Sequence, residues 1–188
     1  MKVKPVVLCG GSGSRLFPGF KKSPSKQFID FGGWTLMEKT LDRIKNPIFD
    51  SPIISTNKTY EKLVRKALKK KKIKEFKIIL EPFKKNTAPA IISSALTASI
   101  KNNQPILFLP SDHYLPEKDK FVKILKLNLS NLSSSNIFIF GMKPITANPD
   151  YGYLLSRKIN VKINKVIKFI EKPSEKKAKK IIIQKGFW

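Results

Sequence analysis

The sequence predicts an α/β fold of Rossmann-like type, a mixed, mostly parallel sheet with helices on both faces. Three observations carry this. Residues 5–8, 52–56, 76–80, 106–109 and 137–142 are short, mostly apolar runs, the pattern of strands buried on both sides. Segments with apolar residues at helical spacing lie between them. The first apolar run passes directly into a glycine-rich turn. At 188 residues the chain is long enough for one domain with a real core.

The elements follow in order. Residues 5–8 form a strand ending in Cys9-Gly10-Gly11-Ser12-Gly13-Ser14-Arg15. Thr35 and Glu38 have capping-box spacing, and Leu36, Met37, Thr40, Leu41 and Ile44 follow on one helical face. Residues 52–56 form a second strand, and 58–72 a helix with Leu63, Val64, Ala67 and Leu68 inward. A third strand, 76–80, stops at Glu81-Pro82. The segment 88–102 is so apolar that it predicts a buried helix, opening after Asn86-Thr87. Strand 106–109 ends at Pro110-Ser111-Asp112-His113, helix 118–129 carries Phe121, Ile124 and Leu125, and 137–142 is a further apolar strand. Beyond Met142 a Pro- and Asn-rich loop leads to strands at 151–156 and 166–170, then Glu171-Lys172-Pro173 and a lysine-rich helix capped by Ser174. This change of texture divides the chain at 142/143. The terminal Phe187-Trp188 reads as a truncation, since apolar groups at a frayed end have nothing to bury against.

The net charge of +25 sets up a field that attracts nucleic acid, anionic lipid or phosphorylated small molecules. Yet the lysines are scattered over helices and loops beside abundant Ile and Asn, the pattern of A/T-rich codon bias. The tightest run, 69–72, closes a helix, where cations meet the negative end of the macrodipole. No helix-turn-helix, zinc-ligand set or aromatic-interleaved stripe accompanies the charge, so it supports non-specific polyanion binding at most. A single cysteine excludes an internal disulfide framework and fits a reducing compartment. No apolar run approaches the ~18 residues of a membrane span, and the start lacks a signal peptide's h-region. The expected location is the cytoplasm, without a membrane partner; homo-oligomerisation stays open.

Four constellations can do chemistry. The glycine turn lets backbone N–H groups face phosphate oxygens, with Arg15 at its end and Lys26 beyond it, two cations suited to a reacting phosphoryl group. It is neither a Walker A loop nor the dinucleotide fingerprint, and a purely structural βα turn is the competing reading. Asp112, beside Ser111 at a strand's carboxyl end, stands where open α/β sheets bind ligands and suits Mg2+, or else caps the next turn. His113, the single histidine, reads as a structural hydrogen-bonding group rather than a general base. Glu81, Asn86 and Thr87 precede a helix and offer amides to a base or phosphate, although taken alone they read as N-capping by Thr87. Gly152 between Tyr151 and Tyr153, with Glu171 and Lys172, allows close ligand approach and hydrogen bonding to sugar hydroxyls, or is plain surface.

Taken together and in this order, these residues resemble the sugar nucleotidyltransferases. Residues 10–18, GGSGSRLFP, resemble GGSGTRLWP; Ser25-Lys26-Gln27-Phe28 resembles PKQF; Glu81-Pro82 with Asn86-Thr87-Ala88-Pro89-Ala90-Ile91 resembles EP…RNTAPAI. Residues 109–113 resemble LPSDH, 149–153 the ETGYGYI segment, and 169–173 FVEKP. The PKQF and RNTAPA motifs are those of the mannose-1-phosphate guanylyltransferase branch. The resemblance implies transfer of GMP from GTP to mannose 1-phosphate, giving GDP-mannose and pyrophosphate. It implies that Gly10, Gly11, Ser12, Gly13 and Ser14 cradle the triphosphate, Arg15 binds the leaving pyrophosphate and Lys26 neutralises the reacting phosphates. Glu81, Asn86, Thr87 and Ser111 would surround the nucleotide, Asp112 would bind Mg2+, and Gly152, Glu171 and Lys172 would meet the sugar phosphate. Residues 1–142 become the nucleotide-binding half and 143–188 the start of the sugar-binding half.

The departures are Ser14, Phe17, Ser25 and Lys85, the last replacing an arginine's bidentate fork. The family's NSGMF segment and its later metal-binding aspartate do not follow Trp188, so impaired turnover is expected. The competing functions are another nucleotide and sugar pair, a non-catalytic nucleotide-binding fragment or subunit, and a basic nucleic-acid-binding domain.

Overall fold

The computed structural model describes residues 1–11, 25–83, 86–98, 104–133, 135–159 and 163–188. They fall into two compact units, Met1–Lys126 and Leu127–Trp188.

The first unit is built on β1 (Lys4–Cys9), β2 (Ile53–Asn57), β3 (Lys77–Glu81) and β4 (Ile106–Pro110), in the order β3-β2-β1-β4 with every pair parallel. Register places Val6 beside both Ile53 and Phe108, Leu8 beside Ser55 and Pro110, and Asn57 beside Glu81. Cys9, Asn57, Glu81 and Pro110 therefore end at one edge of the sheet. The order turns at β1, so the crevice between the ends of β1 and β4 is the switch point at which such sheets bind ligands.

Helix α1 (Leu36–Arg43) begins where Thr35 Oγ1 accepts from Glu38 N at 3.2 Å. The capping box is only half formed, because the Glu38 carboxylate turns to Lys70 Nζ at 2.9 Å. Helix α2 (Glu61–Lys70) follows a 3-10 turn over Lys58–Tyr60. Lys71 reaches Asp42 at 2.6 Å, so Lys70 and Lys71 tie α2 back to α1 instead of standing free as surface charge.

Helix α3 (Thr87–Thr97) corrects one expectation. Its predicted continuation over 99–102 lies outside the described residues, and the described part is not buried all round. Ile92 and Leu96 are 59% and 81% exposed, while Ala90, Ser94 and Ala98 are buried. The small residues recur every fourth position, so they let the helix approach the sheet while the large ones face outward. Ala98 joins Val6 and Ile53 in a core cluster with Leu8, Ile79, Ile106 and Phe108. The other pleat face carries Val7, Cys9 and Ile54, all at 0% exposure, so it too is covered. Helix α4 (Lys118–Asn128) buries Phe121, Val122 and Leu125.

The second unit pairs β5 (Tyr153–Lys158) with β6 (Asn164–Ile170), antiparallel, and closes with α5 (Glu175–Ile183). Ser174 Oγ caps α5 as expected, accepting from Lys177 N. Tyr153, Ala178 and Ile181 form its core. The expected strand over 137–142 is not formed. Ile137 is 93% exposed, and Met142 exchanges N–H···O bonds with Trp188 (2.9 and 2.8 Å). A continuous apolar run gives strand propensity, but a ladder also needs a neighbour in register. The terminal aromatic pair is tied into this unit. Phe187 bridges to Leu154 with bonds of 2.7 and 2.9 Å, and the Trp188 ring meets Tyr151 edge-on at 5.0 Å. The Trp188 ring is thus packed and the Phe187 backbone paired.

Among the described residues, no helix is long and apolar enough to cross a membrane.

Candidate active site

The site forms where β1 runs out. Gly10 and Gly11 leave the sheet; Ser12, Gly13, Ser14 and Arg15, expected beside them, lie outside the described residues. The chain is described again at Ser25, whose hydroxyl donates to the Gly11 carbonyl at 2.5 Å and stands 2.7 Å from Gln27 Oε1. Gln27 Nε2 donates to the same Gly11 carbonyl at 3.4 Å and approaches Cys9 Sγ at 3.7 Å. Both side chains are buried, at 4% and 2% exposure. They stitch the return of the glycine segment to its departure, and sequence reasoning gave them no role. Nothing in the sequence signals this, since a polar residue shows its burial only through the hydrogen bonds that satisfy it.

Cys9, beneath this stitch, is a buried thiol. Burial above all pushes its pKa up to about 11, against opposing hydrogen bonds with Ser111, Gln27 and Thr56. Thr56 Oγ1 donates to the Cys9 carbonyl at 3.0 Å. Glu81 accepts from Ser55 Oγ at 2.7 Å, and both its carboxylate oxygens lie 3.5 Å from where a Gly10 Cβ would stand. The structure thus brings Glu81, the last residue of β3, against the first glycine of the turn.

The 3-10 turn Lys26–Phe28 carries Lys26 to the end of β4, where its Nζ lies 3.5 Å from Asp112 Oδ2. Ser111, buried, ties its own N–H to the Leu8 carbonyl at 3.1 Å. His113 is held below the ordinary imidazole range by burial, with Lys26 and Arg43 reinforcing that against the pull of Asp112. Its carbonyl accepts from Arg43 Nη2 at 2.8 Å. Stacked rings join the same two segments, Trp34 lying 5.2 Å from Phe31 and 5.6 Å from Tyr114.

Asn86 stands at the N-cap of α3, both it and Thr87 exposed, and Thr87 is the first helical residue rather than the cap. No side-chain bond caps the helix, and Asn86 holds φ 63°, ψ −167°, a region glycine occupies at much lower cost. Among the described residues, the first N–H groups of α3 are left without a side-chain cap.

The second unit gathers its own set. The hairpin register pairs Tyr153 with Ile170, which puts Gly152 and Glu171 side by side at its end. A Cβ on Gly152 would lie 3.0 Å from Glu171 Oε2, and Lys172 follows with φ 41°.

A parallel sheet with two glycines leaving β1 at its switch point, and a lysine and a carboxylate opposed there, is an arrangement that suits a phosphorylated ligand. The family model described as "Nucleotidyl transferase" matches residues 4–188. The chain belongs to this family.

Its relatives narrow the comparison. It is 35% identical over 193 residues to the alginate biosynthesis protein AlgA of Pseudomonas fluorescens, covering 98% of this chain and 39% of that protein. It is 32% identical over 187 residues to a mannose-1-phosphate guanylyltransferase of Escherichia coli, covering 95% and 40%. Among solved structures, a Thermus thermophilus protein described as mannose-1-phosphate geranyltransferase superposes with a TM-score of 0.82 at 25% identity, covering 100% of this chain and 55% of that one. The chain thus spans about two fifths of the length of these curated relatives.

Proposed function

We propose that this chain carries the nucleotide-binding portion, 1–142, and the start of the sugar-binding portion of an enzyme that transfers GMP from GTP to mannose 1-phosphate, releasing pyrophosphate. The observation that carries the reading is the opposition of Lys26 and Asp112 at the switch point, beside the Gly10-Gly11 turn. The sugar phosphate attacks the α-phosphorus in line, so catalysis is mostly positioning and charge neutralisation. The Gly10 and Gly11 amides, with Ser12, Gly13 and Ser14, cradle the triphosphate; Arg15 binds the leaving pyrophosphate; Lys26 meets charge that builds on the reacting phosphoryl group. Glu81, Asn86, Thr87 and Ser111 surround the nucleotide, while Gly152, Glu171 and Lys172 receive the sugar phosphate.

The donor set fits Mg2+. Among the described residues no group of three or more acidic, histidine or cysteine side chains could enclose an ion. Mg2+ needs no such cage, being held by one or two carboxylates plus substrate phosphates and water. Asp112 would supply the protein ligand, and the ion when bound neutralises phosphate charge.

The guanosine and mannose assignments rest on the likeness to the Escherichia coli mannose-1-phosphate guanylyltransferase and on the motif at 86–91. A pyrophosphate-release assay with GTP, mannose 1-phosphate and Mg2+, beside ATP, UTP and glucose 1-phosphate, tests them. Release only with the guanosine–mannose pair supports the reading, and release with another pair replaces the substrates. Silence throughout, with Mg2+-dependent GTP binding by calorimetry, limits the chain to nucleotide binding. Binding to any polyanion without Mg2+, falling steeply with salt, replaces it with non-specific nucleic-acid binding.

A further inference from the structure

Arg43, the last residue of α1, is only 4% exposed. Among the described residues no carboxylate lies within ion-pair distance of its guanidinium, although eight other cations have such partners. Its Nε has no hydrogen-bond partner among them. A buried cation without a counter-charge is costly, so its presence here calls for a task beyond filling space. The hydrogen bond recorded for it is Nη2 to the His113 carbonyl, at 2.8 Å.

That bond falls at a particular place. The segment after β4 is held at Ser111, whose N–H donates to Leu8 O at 3.1 Å, and again at His113 by Arg43. Asp112 lies between the two anchors, with its carboxylate 3.5 Å from Lys26 Nζ. One anchor belongs to β1 and the other to α1, so Asp112 is fixed against both the sheet and a helix packed beside it. A side chain held on both sides by its neighbours' backbone is preorganised, and the groups that do so govern how well the carboxylate holds its ligand.

We propose that Arg43 is a positioning residue, its buried guanidinium fixing the Ser111–His113 turn so that Asp112 faces Lys26 across the phosphate side of the site. The functional half of this rests on the reading of Asp112 given above. Arg43 itself touches neither nucleotide nor sugar phosphate. Lysine keeps the charge and a donor nitrogen, methionine keeps the stem alone, and glutamine ends two bonds short of the Nη2 position.

The test uses the full chain and two independent readouts. Backbone amide resonances of Ser111, Asp112 and His113 report the turn; water-proton relaxation reports Mn2+ binding in the presence of GTP. Arg43→Met is expected to displace the three amide resonances, leave those of β5 and β6 in place, and weaken Mn2+ binding about 10- to 100-fold, the usual cost of losing a ligand's support. Arg43→Lys is expected to restore both. If Arg43→Met does not fold, Arg43→Gln is read in its place with the same expected losses. Unmoved amide resonances in a folded Met or Gln variant overturn the proposal. An Asp112→Asn variant that binds Mn2+ like the wild type instead overturns the reading of Asp112 and the functional half built on it. The amide resonances still decide whether Arg43 holds the turn.

Discussion

Lys26 Nζ stands 3.5 Å from Asp112 Oδ2, the lysine arriving from the turn beyond the glycine segment and the aspartate from the end of β4. Their side chains are 30% and 40% exposed, so as a salt bridge the pair is worth little, about 0–1 kcal/mol. Its geometry matters more than its strength, because two weakly held opposite charges can separate around a phosphate that brings both a negative charge and a cation. Lys26→Ala and Asp112→Asn are each expected to change unfolding free energy by under about 1 kcal/mol. Each is expected to lower nucleotide turnover by about two orders of magnitude or more. Thermal unfolding and pyrophosphate release on the same samples check this, and a normal kcat in either variant would remove that residue from the mechanism.

Asn86 shows a second separation of stability from function. Its φ of 63° and ψ of −167° cost a non-glycine residue roughly 1–3 kcal/mol. Glycine removes that strain but loses more backbone entropy, roughly 0.5–1 kcal/mol. Asn86→Gly is therefore expected to stabilise the protein by about 0–2.5 kcal/mol while weakening GTP binding through loss of the amide side chain. Chemical denaturation gives the first quantity and calorimetric titration the second. A variant less stable than the wild type would show that the strain is repaid by contacts within the fold.

Much of this was legible in the chain. The strand runs and the helical stripes of α1 and α2 reported the parallel sheet, because burial on both faces leaves a continuous apolar signature. The positions of Glu81 and Asp112 at or just past strand ends were legible because each sits where an apolar run stops. The face of α3 was not legible, since Ile92 and Leu96 are as apolar as any core residue and only the spacing of Ala90, Ser94 and Ala98 marks its contact side. The run 137–142 misled for a related reason, as propensity says nothing about whether a partner strand lies beside it. Ser25 and Gln27 escaped notice because polar residues show their burial only through the bonds that satisfy them.

Cys9 gives a prediction in pH. Its thiol is raised from 9.0 to about 11 in the folded chain, chiefly by burial. A raised pKa stabilises the fold fully below the unfolded value, and that contribution is lost as pH climbs through the folded one. Stability is expected to fall between about pH 9 and 11, and Cys9→Ser should flatten this part of the profile. At pH 8 the native thiol is expected to resist iodoacetamide and to react once the chain unfolds. Rapid labelling of native protein would show that the Cys9 environment opens.

Two glycines in the second unit are expected to respond differently to the same added methyl group. A Cβ on Gly186 would lie 2.4 Å from Ile181 Cγ2 and 2.9 Å from the Ile181 carbonyl oxygen. Ile181 is 3% exposed in the core of that unit, and a backbone oxygen cannot swing aside. Gly186→Ala is therefore expected to cost about 1–3 kcal/mol. A Cβ on Gly152 would lie 2.6 Å from Phe169 Cζ and 3.0 Å from Glu171 Oε2, in both cases the far end of a side chain. Phe169 is 59% exposed and can rotate into solvent, so Gly152→Ala should cost less than about 1 kcal/mol. It also pushes the Glu171 carboxylate away from the position assigned to the sugar phosphate. The KM for that substrate is then expected to rise with GTP affinity unchanged, as measured by steady-state kinetics beside calorimetry. Equal losses of stability in the two variants would show that the hairpin end is as rigid as the core, and an unchanged KM would take Glu171 out of the sugar site.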